Sequence, residues 1–468
     1  MTDTLMVGVS GIRGIVGKDL TDEVVGRYAR AFGRWAKGRK PVVVVGRDAR
    51  ESGPAFERAV VDGLGSVGCA VVKVGLVPTP TVQLAVEHHA AGGGIAITAS
   101  HNPIEWNALK FIGPDGIFLD AADGARVAQL AAEPSGSGKR EAGNVTADPD
   151  AVARHLDAVL KLPAVDVEGI RARKFTVALD AVRGAGGPVM RALLERLGCE
   201  VAGINLETDG RFPRSPEPVP ENLGGLSTLV TRAGAALGIA VDPDVDRLAI
   251  VDESGTPIGE DYTLAFAVRA VLGGMRDAGS GMRRVVVCNL STSLVVEDAA
   301  RECGAEIVRT PVGEVHVARA ILRLAAVIGG EGNGGVMYPA LHAGRDAPVA
   351  AGLLLTLLAR SGKRVSELVA AAPRYTIVKA KAERGTRSAE RGLEDVYGAL
   401  RKRFPDASVD TQDGLRLAWR DRWLHVRPSN TEPIIRLIAE APSGAGGTGG
   451  SGGAQELVDE ARRICAAS

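Results

Sequence analysis

Hydrophobic positions in this chain follow two alternating rhythms: short β-branched runs, and longer stretches with an apolar residue every three or four positions. The segment "PVVVVGRDARESGPAFERAVVDGLGSVGCAVVKVG" sets the order: apolar run, polar loop, amphipathic stretch, Gly68-Cys69, second apolar run. "FTVALDAVRGAGGPVMRALLERLGCEVAGIN" repeats it, with Gly198-Cys199 before the second run. "RRVVVCNLSTSLVVEDAARECGAEIVRTP" repeats it again, with Cys303-Gly304 in the corresponding place. Each reads as strand, loop, helix, strand, which packs as a parallel crossover because parallel neighbours need a connection long enough to hold a helix. Three similar α/β domains with mixed, largely parallel sheets are expected, with ligand loops at the carboxyl ends of strands.

After residue 370 the rhythm changes. "LRLAWRDRWLHVRPS" and "EPIIRLIAEAP" read as strands and "AQELVDEARRICAAS" as a closing helix, so a C-terminal α+β domain is expected. Divisions fall at 1–152, 153–255, 256–370 and 371–468. The insert "SGAGGTGGSGG" (443–453) reads as a solvated linker. "GLGSVG", Gly63 to Gly68, matches a dinucleotide fingerprint, but it follows a helix and precedes a strand, the reverse of the required order, and is a turn.

Composition narrows the class. With 468 residues the chain is too long for one ordinary core. Lys+Arg and Asp+Glu balance at 56 each without blocks of like charge, so neither nucleic acid nor an anionic membrane is an expected partner. The stretch "APVAAGLLLTLLA" is too short to span a bilayer, and "MTDTLMVGVSGIRG" lacks the pattern of a secretory signal. Five scattered cysteines suit a reducing compartment, and the cytoplasm is the expected location. Glycine, at 60 residues, is nearly double the usual share, which implies many tight loops.

Four of those loops carry chemistry. "TASHNP" places Ser100 beside His101; in extended chain these side chains diverge, so no serine–base pair is expected. "VDPDVDR" alternates Asp242, Asp244 and Asp246 before Arg247, which in extended chain puts three carboxylates on one side. They would repel unless they share a hard cation, and Mg²⁺ suits such oxygens. An EF-hand loop fails because Arg247 stands at its glycine position. A haloacid-dehalogenase-type enzyme would use Asp242 as nucleophile, but it requires Thr or Val where Asp246 stands. In "GEGNGG", Glu331 and Asn333 stand alone among glycines, a carboxylate and an amide suited to vicinal sugar hydroxyls. In "RPSNTEP", Arg427, Ser429, Asn430 and Thr431 offer a guanidinium fork and short donors, a phosphate cradle. Each loop taken alone also fits an ordinary polar turn.

Together, and in this order over nearly the whole chain, the four loops resemble those of the α-D-phosphohexomutase family. "TASHNP" resembles its phosphoserine loop, "DPDVDR" its metal loop, "GEGNGG" its sugar loop and "RPSNTEP" its phosphate loop. The resemblance implies a heart-shaped molecule of four domains around a central cleft, monomeric or homodimeric. It implies one Mg²⁺ per chain on Asp242, Asp244, Asp246 and a phosphoserine oxygen at Ser100. It also implies transfer of the phosphoryl group to one end of a hexose phosphate, a hexose 1,6-bisphosphate intermediate, and return of the other phosphate. Arg13 in "SGIRG" and Lys110 in "WNALKF" match family positions near the transferring group, with Lys110 a candidate general acid/base, and Arg247 matches the position beside the metal loop. Three departures bear on sugar preference. Asn333 and Gly335 stand where many members have Ser and His, Glu314 where some have His, and Ala108 where glycine is frequent. "SGIRG" and "GRD" resemble the bacterial branch named for phosphoglucosamine, whereas "PEPVPENL" resembles archaeal members acting on phosphomannose and phosphoglucose. Phosphoglucosamine is the expected substrate. A haloacid-dehalogenase-type phosphotransferase and a non-catalytic sugar-phosphate binder are the competing classes.

Overall fold

A computed structural model describes residues 5–133, 143–275, 283–383, 389–429, 434–443 and 452–467. It contains four sheets. The first has seven strands in the order Met6–Gly8, Gly11–Ile15, Trp106–Ile112, Gly93–Ile97, Val42–Arg47, Ala70–Leu76, Val145–Ala147. The second is ordered Leu248–Val251, Leu237–Val241, Thr176–Asp180, Glu200–Ile204. The third is ordered Glu306–Thr310, Val285–Asn289, Ile328–Glu331, Gly335–Met337.

The repeat in the sequence is a repeat in topology. In each of these sheets a central strand pairs in parallel on both sides, and an antiparallel strand follows on one flank, where it is the edge in the second and third sheets and is continued by two further antiparallel strands in the first. Val43, Val44 and Val45 are fully buried, as expected of a central parallel strand covered by helices on both faces. The helix Gly53–Gly65 runs into "GLGSVG", Gly68 adopts φ +75°, and Ala70 opens the next strand, so that segment is a turn.

This topology places the loops. Three of them join the last parallel strand to its antiparallel neighbour: 98–105 after Gly93–Ile97, 242–247 after Leu237–Val241, and 332–334 after Ile328–Glu331. The serine, aspartate and glutamate loops are therefore the same loop of three copies. The C-terminal sheet is antiparallel throughout, ordered Tyr375–Glu383, Ile434–Pro442, Trp423–Pro428, Leu415–Ala418, Ser408–Asp410, with helices Ala389–Arg403 and Gly452–Ala467. Arg427 lies in its Trp423–Pro428 strand, while Asn430 and Thr431, like most of the Gly-rich insert, lie outside the described residues.

Candidate functional site

The serine and aspartate loops meet. Ser100 is 3% exposed and its Oγ donates to Asp242 Oδ2 at 2.8 Å. Asp242 Oδ1 accepts the backbone N–H groups of Asp246 (3.1 Å) and Arg247 (3.2 Å). Extended alternation is not what gathers the three carboxylates. The segment 242–247 is a turn with Val245 at φ +62°, and the chain folds back so that the aspartates converge. Ser100 is not extended either. At φ +47° it is left-handed, and this brings His101 Nδ1 to 3.4 Å from Oγ instead of letting the side chains diverge. The His101 imidazole is held well below its ordinary range, first by the Arg247 charge and then by burial and Arg13.

Around the aspartates stand cations and one hydroxyl. Lys110 Nζ lies 2.6 Å from Asp244 Oδ2 and 3.3 Å from Asp246 Oδ2. Burial works against its charge, but Asp244 and Asp246 outweigh it and raise the ammonium's pKa. Thr79 donates its Oγ1 to Asp244 Oδ2 at 2.7 Å and its N–H to the Asp244 carbonyl at 2.9 Å. Burial raises the Asp244 pKa, yet the Lys110 charge and hydrogen bond prevail and hold it below the carboxylate range. Asp242 goes the other way, pushed well above that range by burial and then by the charges of Asp246 and Asp244. Arg13 Nη1 donates to Asn102 Oδ1 at 2.8 Å, and Arg247 lies 3.4 Å from Glu217.

The glutamate loop joins through one residue. Arg345 is buried and donates to Asp246 Oδ2 (2.7 Å), Glu314 Oε2 (2.9 Å) and Glu331 Oε2 (3.0 Å). Burial opposes its charge, but Asp246 and Glu314 raise the pKa well above the ordinary value. Glu331 carries four donors: Asn289 Nδ2 (2.9 Å) and Gly313 N (3.2 Å) on Oε1, Arg345 (3.0 Å) and Asn333 Nδ2 (3.3 Å) on Oε2. Asn333 Oδ1 accepts from Gly335 N at 3.1 Å. Gly334 at φ +86° lets the loop touch the second sheet, since a Cβ there would lie 2.5 Å from the Leu248 carbonyl. Glu314, a departure at the sequence level, is thus the counter-charge of Arg345.

Arg427 stands apart from this cluster. Its Nη1 lies 3.3 Å from Asp413 Oδ2, an oxygen that also accepts Val312 N at 3.1 Å, and its Nε is buried with no partner. The Ser429 hydroxyl accepts from Arg436 Nε at 3.4 Å. The link to Glu331 is indirect, through the adjacent N–H groups of Val312 and Gly313.

The aspartates fit a cation. One oxygen from each lies within 4.8 Å of the others, and Asp244 Oδ1 and Asp246 Oδ1 are buried without a hydrogen-bond partner. Unpaired buried carboxylate oxygens are costly, and a hard divalent ion removes both that cost and the mutual repulsion. Among the described residues no other His/Cys/Asp/Glu group meets these conditions, and no helix is long and apolar enough to cross a membrane.

Comparison with known proteins covers the whole arrangement. Residues 4–135, 153–255 and 260–375 match the α/β/α domains I, II and III of phosphoglucomutase/phosphomannomutase, and 377–448 match the C-terminal domain. A phosphoglucomutase/phosphomannomutase of Thermococcus kodakarensis is 39% identical over 94% of this chain and 95% of its own. A probable phosphoglucosamine mutase of Methanopyrus kandleri is 39% identical over 93% of this chain and 94% of its own. The structure of a phosphoglucomutase/phosphomannomutase family protein from Burkholderia thailandensis superposes with a TM-score of 0.82 at 26% identity, over 99% of this chain and 97% of that one.

Proposed function

The chain belongs to the phosphoglucomutase/phosphomannomutase family, and we propose that it interconverts glucosamine 6-phosphate and glucosamine 1-phosphate through a phosphoserine at Ser100. As a phosphohexomutase it is an isomerase, an intramolecular phosphotransferase of carbohydrate metabolism. The observation that carries the proposal is the serine itself, buried and hydrogen-bonded to one of three clustered aspartates contributed by another sheet. Division of the chain at 152, 255 and 370, part of the same reading, gives the serine, aspartate, glutamate and phosphate loops one domain each.

Asp242, Asp244, Asp246 and an oxygen of phosphorylated Ser100 are the groups that would hold Mg²⁺, which supplies electrostatic relief for the charge on the transferring group. As the bond between phosphorus and Ser100 Oγ breaks, a new one forms to a sugar hydroxyl, which loses its proton. Lys110 is the group assigned to proton handling: its ammonium gives a proton to Oγ and recovers one from the sugar hydroxyl. Arg13, through Asn102, and Arg247, beside the aspartate loop, supply positive charge to the phosphoryl oxygens. Glu331 and Asn333 orient the sugar. To do so Glu331 must share acceptor positions that are filled by Asn333 and Gly313. Arg427, with its unpaired Nε, Ser429, Asn430 and Thr431 grip the phosphate that is not transferred. The hexose 1,6-bisphosphate formed turns over and returns its other phosphate to Ser100. A haloacid-dehalogenase role for Asp242 is disfavoured because both of its oxygens are engaged, by Ser100 and by two backbone N–H groups.

A phosphomannomutase/phosphoglucomutase reading is favoured by the name of the T. kodakarensis relative. ³¹P NMR separates the two. With Mg²⁺ and a trace of hexose 1,6-bisphosphate, the protein is offered glucosamine, mannose and glucose 6-phosphates separately. The sugar whose 1-phosphate grows fastest names the substrate, and the Ser100→Ala protein should produce none. Binding without interconversion of any sugar would defeat the mutase reading.

A further inference from the structure

Arg50, in "VGRDARES", is 1% exposed and lies behind the serine loop. Its Nε donates to Asp48 Oδ2 at 3.2 Å. Nη1 donates to the carbonyls of Pro103 (2.7 Å) and Trp106 (2.8 Å), and Nη2 to those of Ser100 (2.7 Å) and Asn102 (2.7 Å). A guanidinium has five N–H donors. Here all are used, three of them on carbonyls of the irregular serine loop, at Ser100, Asn102 and Pro103, and one on Trp106 at the head of the next strand. Asp48 fixes the guanidinium in turn, since its Oδ1 accepts Arg50 N at 3.0 Å. Its Oδ2 also accepts Thr98 Oγ1 at 2.7 Å, and that hydroxyl oxygen accepts Ser100 N at 2.9 Å. The Ser100 N–H and C=O are therefore both tied to the same Asp48–Arg50 pair. On the far side the guanidinium stacks on the Phe212 ring at 4.9 Å, which anchors the clamp to the chain of the second sheet.

What this clamp holds is a strained conformer. Ser100 at φ +47° adopts backbone that costs an L-residue about 1 kcal/mol or more and persists only where its surroundings over-determine it. We propose that Arg50 is a positioning residue for phosphoryl transfer, holding the Ser100 backbone left-handed so that Oγ faces the aspartates in the free and the phosphorylated state alike. The inference rests on the reading of Ser100 as phosphoryl carrier. A serine that receives and returns a phosphoryl group at two ends of one sugar must present its oxygen at the same place both times. Arg50 touches no reacting atom and acts through the backbone. Lysine keeps the charge but cannot reproduce a planar fork that reaches four carbonyls.

The test compares the parent, Arg50→Lys, Arg50→Ala and Thr98→Val, measuring phosphoryl uptake from glucose 1,6-bisphosphate by intact mass, steady-state turnover and thermal melting. In Arg50→Lys, kcat and the uptake rate should fall roughly 100-fold, because a displacement of about 1 Å is enough for that, while KM stays within about twofold. Added guanidinium should speed uptake in Arg50→Ala, and ammonium at equal ionic strength should not. Parental kcat in a folded Arg50→Lys protein, or a loss that merely tracks melting, overturns the proposal. Should Arg50→Lys not fold, Thr98→Val reads the same constraint from the N–H side. There a fall in kcat of about tenfold at unchanged KM supports it, and parental kcat overturns it. If the parent takes up no phosphoryl group, the carrier reading falls; if it does and Arg50→Lys matches it, only the positioning role falls.

Discussion

The second and third sheets are joined in one way, the third and C-terminal sheets in another. The first pair shares a single apolar cluster running from Leu156 and Leu179 through Leu248, Phe266 and Ile328 to Leu368. The C-terminal sheet keeps its own core, with Leu400, Leu424, Leu437 and Val458, and apart from the Tyr375 ring packed on the shared cluster it meets the third through polar groups. Ser291 Oγ pairs with His425 Nδ1 at 2.8 Å, Glu440 Oε2 accepts Leu294 N at 2.8 Å, and Tyr375 donates to Asp298 at 2.7 Å. Apolar burial is non-directional and grows with area, whereas each hydrogen bond nets only about 1 kcal/mol. The first pair should therefore unfold as one cooperative unit, and the C-terminal sheet should separate from the third at lower free energy. The aspartates and Glu331 sit on the fused pair, and Arg427 and Ser429, of the proposed phosphate cradle, sit on the part held by hydrogen bonds.

The largest expected effect breaks the fused pair. Phe266 is fully buried in the helix Asp261–Gly274, and Phe266→Ala should cost about 3–5 kcal/mol. Amide exchange should rise together in Leu237–Val241 and Val285–Asn289, strands of different sheets. Opening of the third sheet alone would show two units where one is argued.

Acid should loosen the other junction. His425 is 0% exposed, and burial brings its imidazole down to about 4 from the ordinary 6.5. Between those values the unfolded chain binds more protons than the folded one. The His425 contribution is thus complete above about pH 6.5 and is lost as pH falls toward 4, up to about 3 kcal/mol. Protection of the Trp423–Pro428 amides, corrected for the pH dependence of intrinsic exchange, should be lower at about pH 5 than at about pH 7, and His425→Gln, which does not titrate, should flatten that difference. Equal acid sensitivity in the variant would place the cause elsewhere. Trp423→Phe should cost less, about 1–2 kcal/mol, because the ring stays while the indole bond to Glu440 at 2.5 Å is lost.

The contrast also marks what the sequence makes legible. Continuous β-branched runs and amphipathic stretches recur at the scale of a whole supersecondary unit, so the three-fold repeat is readable, and the chemistry-bearing loops carry rare residue combinations. Their local geometry was not. The expectation of extended chain at Ser100 and across Asp242–Asp246 failed because left-handed residues at Ser100 and Val245 depend on long-range partners. Arg50, Thr79 and Arg345 went unnoticed for a related reason. Their contacts span 50, 165 and 99 positions, and no local periodicity reports an arginine's distant acceptors. The recurrence of "GRD" at 46–48 and 344–346 is the available signal for Arg345 itself and, through the buried Asp48 two residues before it, for Arg50; Thr79 has none.

The smallest effect asks whether the polar junction serves recognition alone. His425 Nε2 lies 2.7 Å from the Asp413 carbonyl, an acceptor, so Nε2 carries the proton and Nδ1 must accept from Ser291. Ser291→Ala removes that donor at a cost of about 1 kcal/mol, with the fold retained. Asp413 also pairs with Arg427, so loosening this contact reaches the proposed phosphate cradle before it reaches Ser100. KM for the sugar phosphate should then rise by no more than about fivefold, the equivalent of that energy, while kcat stays at the parental value. A fall in kcat at constant KM would instead mean that the C-terminal sheet's seating reaches the serine, and that the two junctions do not divide chemistry from recognition.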